Sequence, residues 1–491
     1  AYDIPLRLVG SEMCIRDSVE VVEPLTNYTV ARVQKNWKGN TLLGGMVTSV
    51  NRALDQPYLE DFMVRNAFTA GIDFTQYFKN RLYYIDVKGM LSSLHGSAGA
   101  ITALQNSVAH YYQRASSADY LGVDPTRRSL TGTGGYVKVG RKGNAKWNFS
   151  ETFTWSSPGF DLNDMGYMKE TDYLMNETEI MYRQTDIWKI FRYNAFTLSQ
   201  KNMWNYGGTP FSNNASLRWQ SMTMNRYEWD VKETFAWNWL DSRLLRGGPD
   251  VRFGSYFLTS AKFNTDKAKR MMFMLKYEGD HNFEGNRFNT ISPSLTFRLG
   301  NHVYLSGQLD YAWNTDEMQY VATTSPLSSS SLAPYYYVMG HMDQKTYGLT
   351  LKLQVNVTPD ISIQFYGAPF TSIAKYDDFK LAADTKSHTF ENRFQRIDPD
   401  HLTYVDGVYT IGEGAGQMPF RNPDFRFNEF RSNLVARWEY LPGSTLYFVW
   451  EHRMSNRDNW YSSGWGSNLD RMWGLPATNT FMIKMNYWFN L

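Results

Sequence analysis

The sequence predicts an all-β protein, a large antiparallel transmembrane β-barrel, on three observations. Apolar and polar residues alternate through runs of roughly ten residues or more. Short turns alternate with long loops along the chain. Aromatic residues make up 16% of the chain while the mean hydropathy is -0.48. A helical membrane protein cannot combine the last two values, because each span needs about 18 or more consecutive apolar residues. A barrel can, because only alternate residues of each strand face lipid, and Tyr and Trp collect in girdles at both interfaces.

The strands come first in the argument. Tyr347, Leu349, Leu351, Leu353, Val355 and Val357 share one face, against Gly348, Thr350, Lys352, Gln354 and Asn356. Val303, Leu305, Leu309, Tyr311 and Trp313 repeat the pattern, as do Ile291, Leu295, Phe297 and Leu299. In the next example Phe430, Leu434, Trp438 and Tyr440 oppose Arg431, Asn433, Arg437 and Glu439. Strands of soluble sheets average about 5–6 residues, whereas crossing a bilayer at a tilt takes about 9–11. About 19 such strands are expected, starting near Tyr28.

The connections follow. Lys38-Gly39-Asn40, Lys79-Asn80, Lys142-Gly143-Asn144, Gln184-Thr185-Asp186, Thr265 to Lys267, Leu299-Gly300-Asn301, Thr358-Pro359-Asp360 and Pro442-Gly443 read as tight turns. Longer loops are expected near 95–130, 158–170, 202–212, 241–250, 315–344, 373–428 and 456–479. Short periplasmic turns and long extracellular loops are the pattern of outer-membrane barrels. The loop at 373–428 carries Phe379, Phe394, Ile411 and Phe420, too much apolar surface for a solvated segment. It is expected to be ordered, restricting the lumen or capping its mouth, with Asp398, Asp400 or Glu413 pairing with Arg431 and Arg437.

The ends of the chain carry two further expectations. Residues 1–18 contain LVGSEMCIRDS, which resembles a translated sequencing adapter and shares no periodicity with the rest. They are read as a non-native N-terminus, and 19–491 as a barrel truncated on its N-terminal side, with an even strand number of 20 or more when intact. At the other end Phe481, Ile483, Met485, Tyr487, Phe489 and Leu491 share one face of a final strand, the signal read by the barrel-assembly machinery.

Several segments carry a family resemblance: Asn27 to Val33, Asp124-Pro125-Thr126-Arg127, Ser157 to Tyr167 (SPGFDLNDMGY) and Phe430 to Tyr447 (FRSNLVARWEYLPGSTLY). Together they resemble a Gram-negative outer-membrane barrel family of unknown function that usually follows a family-9-type carbohydrate-binding module. The resemblance covers 19–491. It implies a location in the cell outer membrane and a periplasmic sugar-binding domain upstream, but no catalytic residues.

Chemistry is sparse. There is no G-x-S-x-G elbow and no H-E-x-x-H pair, and the eight His are scattered. The single Cys excludes a disulfide framework. No enzyme, metal or cofactor is expected. Asp398-Pro399-Asp400-His401 reads as a solvated turn in preference to a cation site. A net charge of +2 with dispersed Lys and Arg gives no reason to expect nucleic acid. A ligand platform is conceivable at Trp460, Tyr461, Trp465 and Trp473, whose rings sit among Gly, Ser and Asn; girdle and loop packing is the competing reading. Nine charges are placed on the lumen face: Arg298, Asp310, Lys352, Arg431, Arg437, Glu439, Glu451, Arg453 and Lys484. Their mixed sign argues for internal pairing or a generic aqueous lumen.

The leading functional expectation is a porin-like conduit or transport protein associated with glycan binding or uptake, since so wide a barrel cannot be filled by its own wall side chains. A structural or assembly barrel anchoring a periplasmic domain or export partner is the alternative, and an outer-membrane hydrolase the third. Expected partners are outer-membrane lipid and lipopolysaccharide, the assembly machinery, and glycans through an absent N-terminal domain.

Overall fold

The computed structural model describes residues 23–114, 119–237, 239–300, 302–327, 335–459 and 465–489. One antiparallel sheet of twenty strands dominates it, one of which, Phe394–Arg396, is a three-residue addition. The other nineteen form the wall in chain order, each paired with its sequence neighbours. They are β1 Thr26–Trp37, β2 Thr41–Arg52, β3 Asn66–Phe78, β4 Tyr83–His95, β5 Ser129–Arg141, β6 Trp147–Ser156, β7 Tyr173–Gln184, β8 Phe191–Trp204, β9 Pro210–Thr223 and β10 Glu228–Trp237. After these come β11 Tyr256–Asn264, β12 Met271–Asn282, β13 Arg287–Leu299, β14 Val303–Thr324, β15 Tyr336–Asn356, β16 Ile361–Ala382, β17 Phe425–Leu441, β18 Ser444–Asp458 and β19 Thr478–Asn486. This is an all-β fold, a large antiparallel transmembrane β-barrel. Such up-and-down order is what tight hairpins produce when every connection on one rim is short.

Side-chain alternation and register sort the two faces. Direct partners share a face, so Val47↔Ala70↔Leu91 and Val87↔Val137↔Phe153 trace two apolar rows on one face. Leu305↔Leu353 and Leu353↔Phe365 trace another. Large exposed apolar side chains such as Leu91, Leu198, Leu217 and Leu351 lie on this face, which meets lipid. The opposite face is polar. β1 and β19 run in the same direction, and each is paired on one side among the described residues.

The turns on the short rim bend as their residues require. Lys38 and Gly39 take φ of 50° and 69°, and Gly443 takes 80°. The expected loops at 315–344 and 373–428 need correction. β14 runs on to Thr324, β15 starts at Tyr336, and β16 continues to Ala382, so these three strands of 22, 21 and 22 residues stand well above the rest of the wall. They remain paired through bulges between Asp316 and Gln319 and between Met339 and His341. Outside lipid a strand need not alternate, so the sequence pattern fades there while the hydrogen-bond ladder persists. The last strand ends at Asn486, ahead of the expected terminus, and Leu491 lies outside the described residues, as do residues 1–18.

Candidate functional site

Every long loop emerges on the rim opposite the tight turns, and these loops fold over the polar face. The first, between β4 and β5, opens with helix α1 Ala98–Gln105, whose N-terminus is capped by Ser97 accepting from the Ala100 N–H. Its Ile101 and Tyr112 pack on Val50, Ala67, Leu94 and Leu130, a row running across β2 to β5. The Gln105 amide pairs twice with the backbone of Asp124, at 2.8 and 2.9 Å, fastening the Asp124-Pro125-Thr126-Arg127 turn. Burial pushes the Tyr112 hydroxyl up to about 12.

The SPGFDLND segment between β6 and β7 lies against β4 and β5. Phe160 is buried against Gly132 and Gly134, where an added Cβ would sit 2.1 Å from the Phe160 nitrogen and 2.5 Å from its ring. Only glycine lets the loop approach the wall so closely. Beside it His110 is fully buried, its two ring nitrogens 2.8 Å from the Pro158 carbonyl and 2.9 Å from the Asp161 carboxylate. Arg52 meets Asp164 at 2.7 Å, and burial, partly offset by Arg52, raises that carboxyl.

Deeper in the cap, Arg114 and Asp172 form a buried ion pair at 2.6 Å. Asp172 holds a left-handed φ of 62° and also accepts from the Tyr120 hydroxyl at 2.6 Å and the Tyr206 N–H at 3.1 Å. Burial, then the bond to Asp172, raises the Tyr120 hydroxyl. Arg114 reaches Ser242 at 3.0 Å, and Arg243 reaches the Val108 carbonyl at 2.8 Å and Glu170 at 3.1 Å, so the loop between β10 and β11 joins this network.

That same loop carries the network onward. Arg252 N–H donates to the Thr385 carbonyl at 2.9 Å, and Thr385 donates to the Asp250 carbonyl at 2.6 Å. Arg393, 1% exposed, grips Glu284 at 2.8 and 3.0 Å and the Arg252 carbonyl at 2.7 Å. The β16–β17 connection also builds a three-stranded sheet, Leu402–Val405, Val408–Ile411 and Met418–Arg421, packed through Ile411 and Phe420 on Val338, Met342 and Tyr376. Contacts therefore run from the β4–β5 loop through the β10–β11 loop to the β16–β17 connection. Those elements are spaced around the wall, so their joined loops bridge the mouth.

A cavity of about 20 Å³ lies among Arg114, Glu170, Asp172 and Arg243, enough for about one water. A shallow, largely apolar depression on the lipid-facing side is lined by Val33, Val47, Ile72 and Leu91.

The nine charges singled out in the sequence all fall on the polar face. Arg431 and Arg453 each meet Glu429 at 2.9 Å, and Arg437 meets Glu439 at 2.6 Å. The expected partners of Arg431 and Arg437, Asp398, Asp400 and Glu413, are replaced by these neighbours, which share their strands. Asp310 accepts from Ser292 at 2.6 Å and Gln308 at 2.8 Å, and Arg298 donates to the Lys267 carbonyl at 3.1 Å. Lys352, Glu451 and Lys484 share the face by register. Asp398 accepts from the Asp400 N–H, closing a turn. Of the four aromatics proposed as a platform, Trp460 and Tyr461 lie outside the described residues. Trp465 begins helix α2 Trp465–Trp473, and Trp473 packs its ring 4.8 Å from Phe430 on the lipid-facing side of β17. The residues that build the cap, Arg114, Asp172, Glu284 and Arg393, were not singled out. Their partners lie 58 and 109 positions apart, and no local pattern links them.

A family model described as "Domain of unknown function (DUF5916)" matches residues 10–491, and the chain belongs to that family. No curated protein matches the sequence. Among solved structures, the chain is similar to the siderophore receptor PirA from Acinetobacter baumannii at 9% identity and a TM-score of 0.37, over 95% of this chain and 74% of that one. It is also similar to a mutant of the ferric enterobactin receptor PfeA from Pseudomonas aeruginosa at 9% identity and a TM-score of 0.40, over 91% and 72%.

Proposed function

We propose that this DUF5916 chain is a conduit in the outer membrane of a Gram-negative cell, closed at rest by its own extracellular loops. One observation carries the reading: buried ion pairs and backbone hydrogen bonds join loops from separated parts of the wall across the mouth. A barrel this wide cannot be filled by the side chains of its wall, so what the loops do decides whether it conducts. A permanently sealed anchor would be closed most simply by apolar packing. Here apolar clusters and buried ion pairs close the mouth together, and in each pair removing one partner leaves a buried charge, so the closed state is sensitive to what competes for those partners. Polar solutes, glycan fragments among them, suit the polar inner face as cargo.

The test is solute flux into liposomes carrying the purified chain, with neutral sugars of increasing size. The intact chain should admit little. Removal of residues 384–423 should admit sugars up to a defined size limit. Equal flux from both would overturn the reading and leave the anchoring role.

A further inference from the structure

A motif recurs in the wall. Residues 147–155 read WNFSETFTW and residues 229–237 read WDVKETFAW. Without a gap they share Trp, Glu-Thr-Phe and the closing Trp. The first is β6 and the second β10, and both run from the short-turn rim toward the long loops. In each, the two Trp, the central Glu and the flanking apolar residues lie on the lipid-facing side. The register shows it: Phe153 pairs with Val137, Phe149 with Ile180, Val231 with Trp219 and Phe235 with Phe257. Trp147, Phe149 and Phe153 are exposed, as are Trp229 and Phe235.

The first and last Trp stand eight residues apart, about 26 Å along a strand and about 20 Å along the membrane normal at the usual tilt. That is close to the height of an apolar belt, so Glu151 and Glu233 face outward near mid-bilayer. Each is held by neutral donors of the following strand. Glu151 accepts from Thr178 at 2.6 Å and from Asn176, and Glu233 accepts from Thr259 at 2.7 Å. Between them the same face carries Gln200, Asn202 and Asn213, in register with Thr178 and Asn176. Asn202 and Asn213 sit toward the long-loop end of the wall and Glu151, Glu233 and Gln200 deeper. Hydrocarbon offers none of them a further partner, and polar side chains facing it are costly unless something answers them. Elsewhere the outer face presents apolar rows such as Leu305, Leu353 and Phe365.

The spacing identifies the occupant. β6 lies two strands before β8 and β10 two strands after it. A twofold axis along the membrane normal at β8 brings β6 of one copy opposite β10 of the other, and β10 opposite β6. Such an interface requires a patch complementary to itself. The repeated motif meets that requirement, because the two facing strands carry the same pattern from their first residues at the short-turn rim. Amides donate and accept, so the amides of one copy can answer the carboxylates and amides of the other. We propose that the lipid-facing surface of β6 to β10 is the contact between two copies of this chain within the membrane, with Glu151, Glu233, Gln200, Asn202 and Asn213 as its polar centre.

The test uses the purified full chain in liposomes with Cys14→Ser as background. Leu198→Cys, next to the axis, should give a disulfide-linked dimer on oxidation, and Leu351→Cys on the distant wall should not. Glu151→Leu with Glu233→Leu should lower the Leu198→Cys yield about tenfold or more, since each carboxyl enters the interface twice. Glu151→Gln with Glu233→Gln should retain it. Equal yields at Leu198→Cys and Leu351→Cys overturn the proposal, as does a leucine pair that cross-links like its parent. If the leucine pair fails to fold, the comparison of the two cysteine positions decides alone.

Discussion

At the residue scale the cap depends on a few side chains that have no exposed alternative. Arg114 is the clearest, since Asp172 is buried beside it and positioned by it. Arg114→Ala leaves that carboxylate without its counter-charge, held among the described residues only by Tyr120 and Tyr206, and should cost the cap about 3 kcal/mol while the wall stays folded. The expected signature is rapid protease cutting within 96–128 and 157–172, with unchanged heat-resistant migration of the barrel. A second prediction concerns close approach. Gly132→Ala puts a methyl group against the Phe160 backbone, so the SPGFDLND loop must lift from the wall. Hydrogen exchange at residues 157–165 should speed up while exchange in β5 itself stays slow. None of this geometry was legible in the sequence. SPGFDLND stood out as a motif, yet nothing in its order reveals that it lies on two glycines of β5 or that its Asp161 holds His110.

At the element scale the sequence says much more, because a strand in a membrane wall must alternate over its whole length. The wall strands and the facing of 291–299, 303–313, 347–355 and 430–438 are readable residue by residue. Legibility stops at the membrane edge. β14 to β16 continue as paired strands through segments that read as loops, since above the bilayer both faces meet water or other loops. Facing is measurable. Leu351 pairs with Gly307 and Gly367 on the outer face, while Gln354 pairs with Tyr304 and Gln364 on the inner one. Leu351→Arg should cost about 2–4 kcal/mol if it lies near the midplane, and Gln354→Arg much less. Folding titrations into lipid vesicles measure both, and equal costs would reverse the assignment of the two faces.

At the scale of the whole molecule, an apolar wall that spans the membrane surrounds a polar face whose mouth is bridged by ionic contacts. The wall explains how the chain sits in lipid, and the cap decides what it does there. Sequence composition pointed to the wall. The cap escaped it because closure is a property of loops that come together from across the barrel. The most direct test of a conduit closed by its own loops is single-channel conductance in planar bilayers, comparing the intact chain with Arg114→Ala combined with Arg393→Ala. The account predicts a silent or rarely opening intact chain and frequent large steps once both ion pairs are cut. Identical records from the two, whether silent or open, would contradict it.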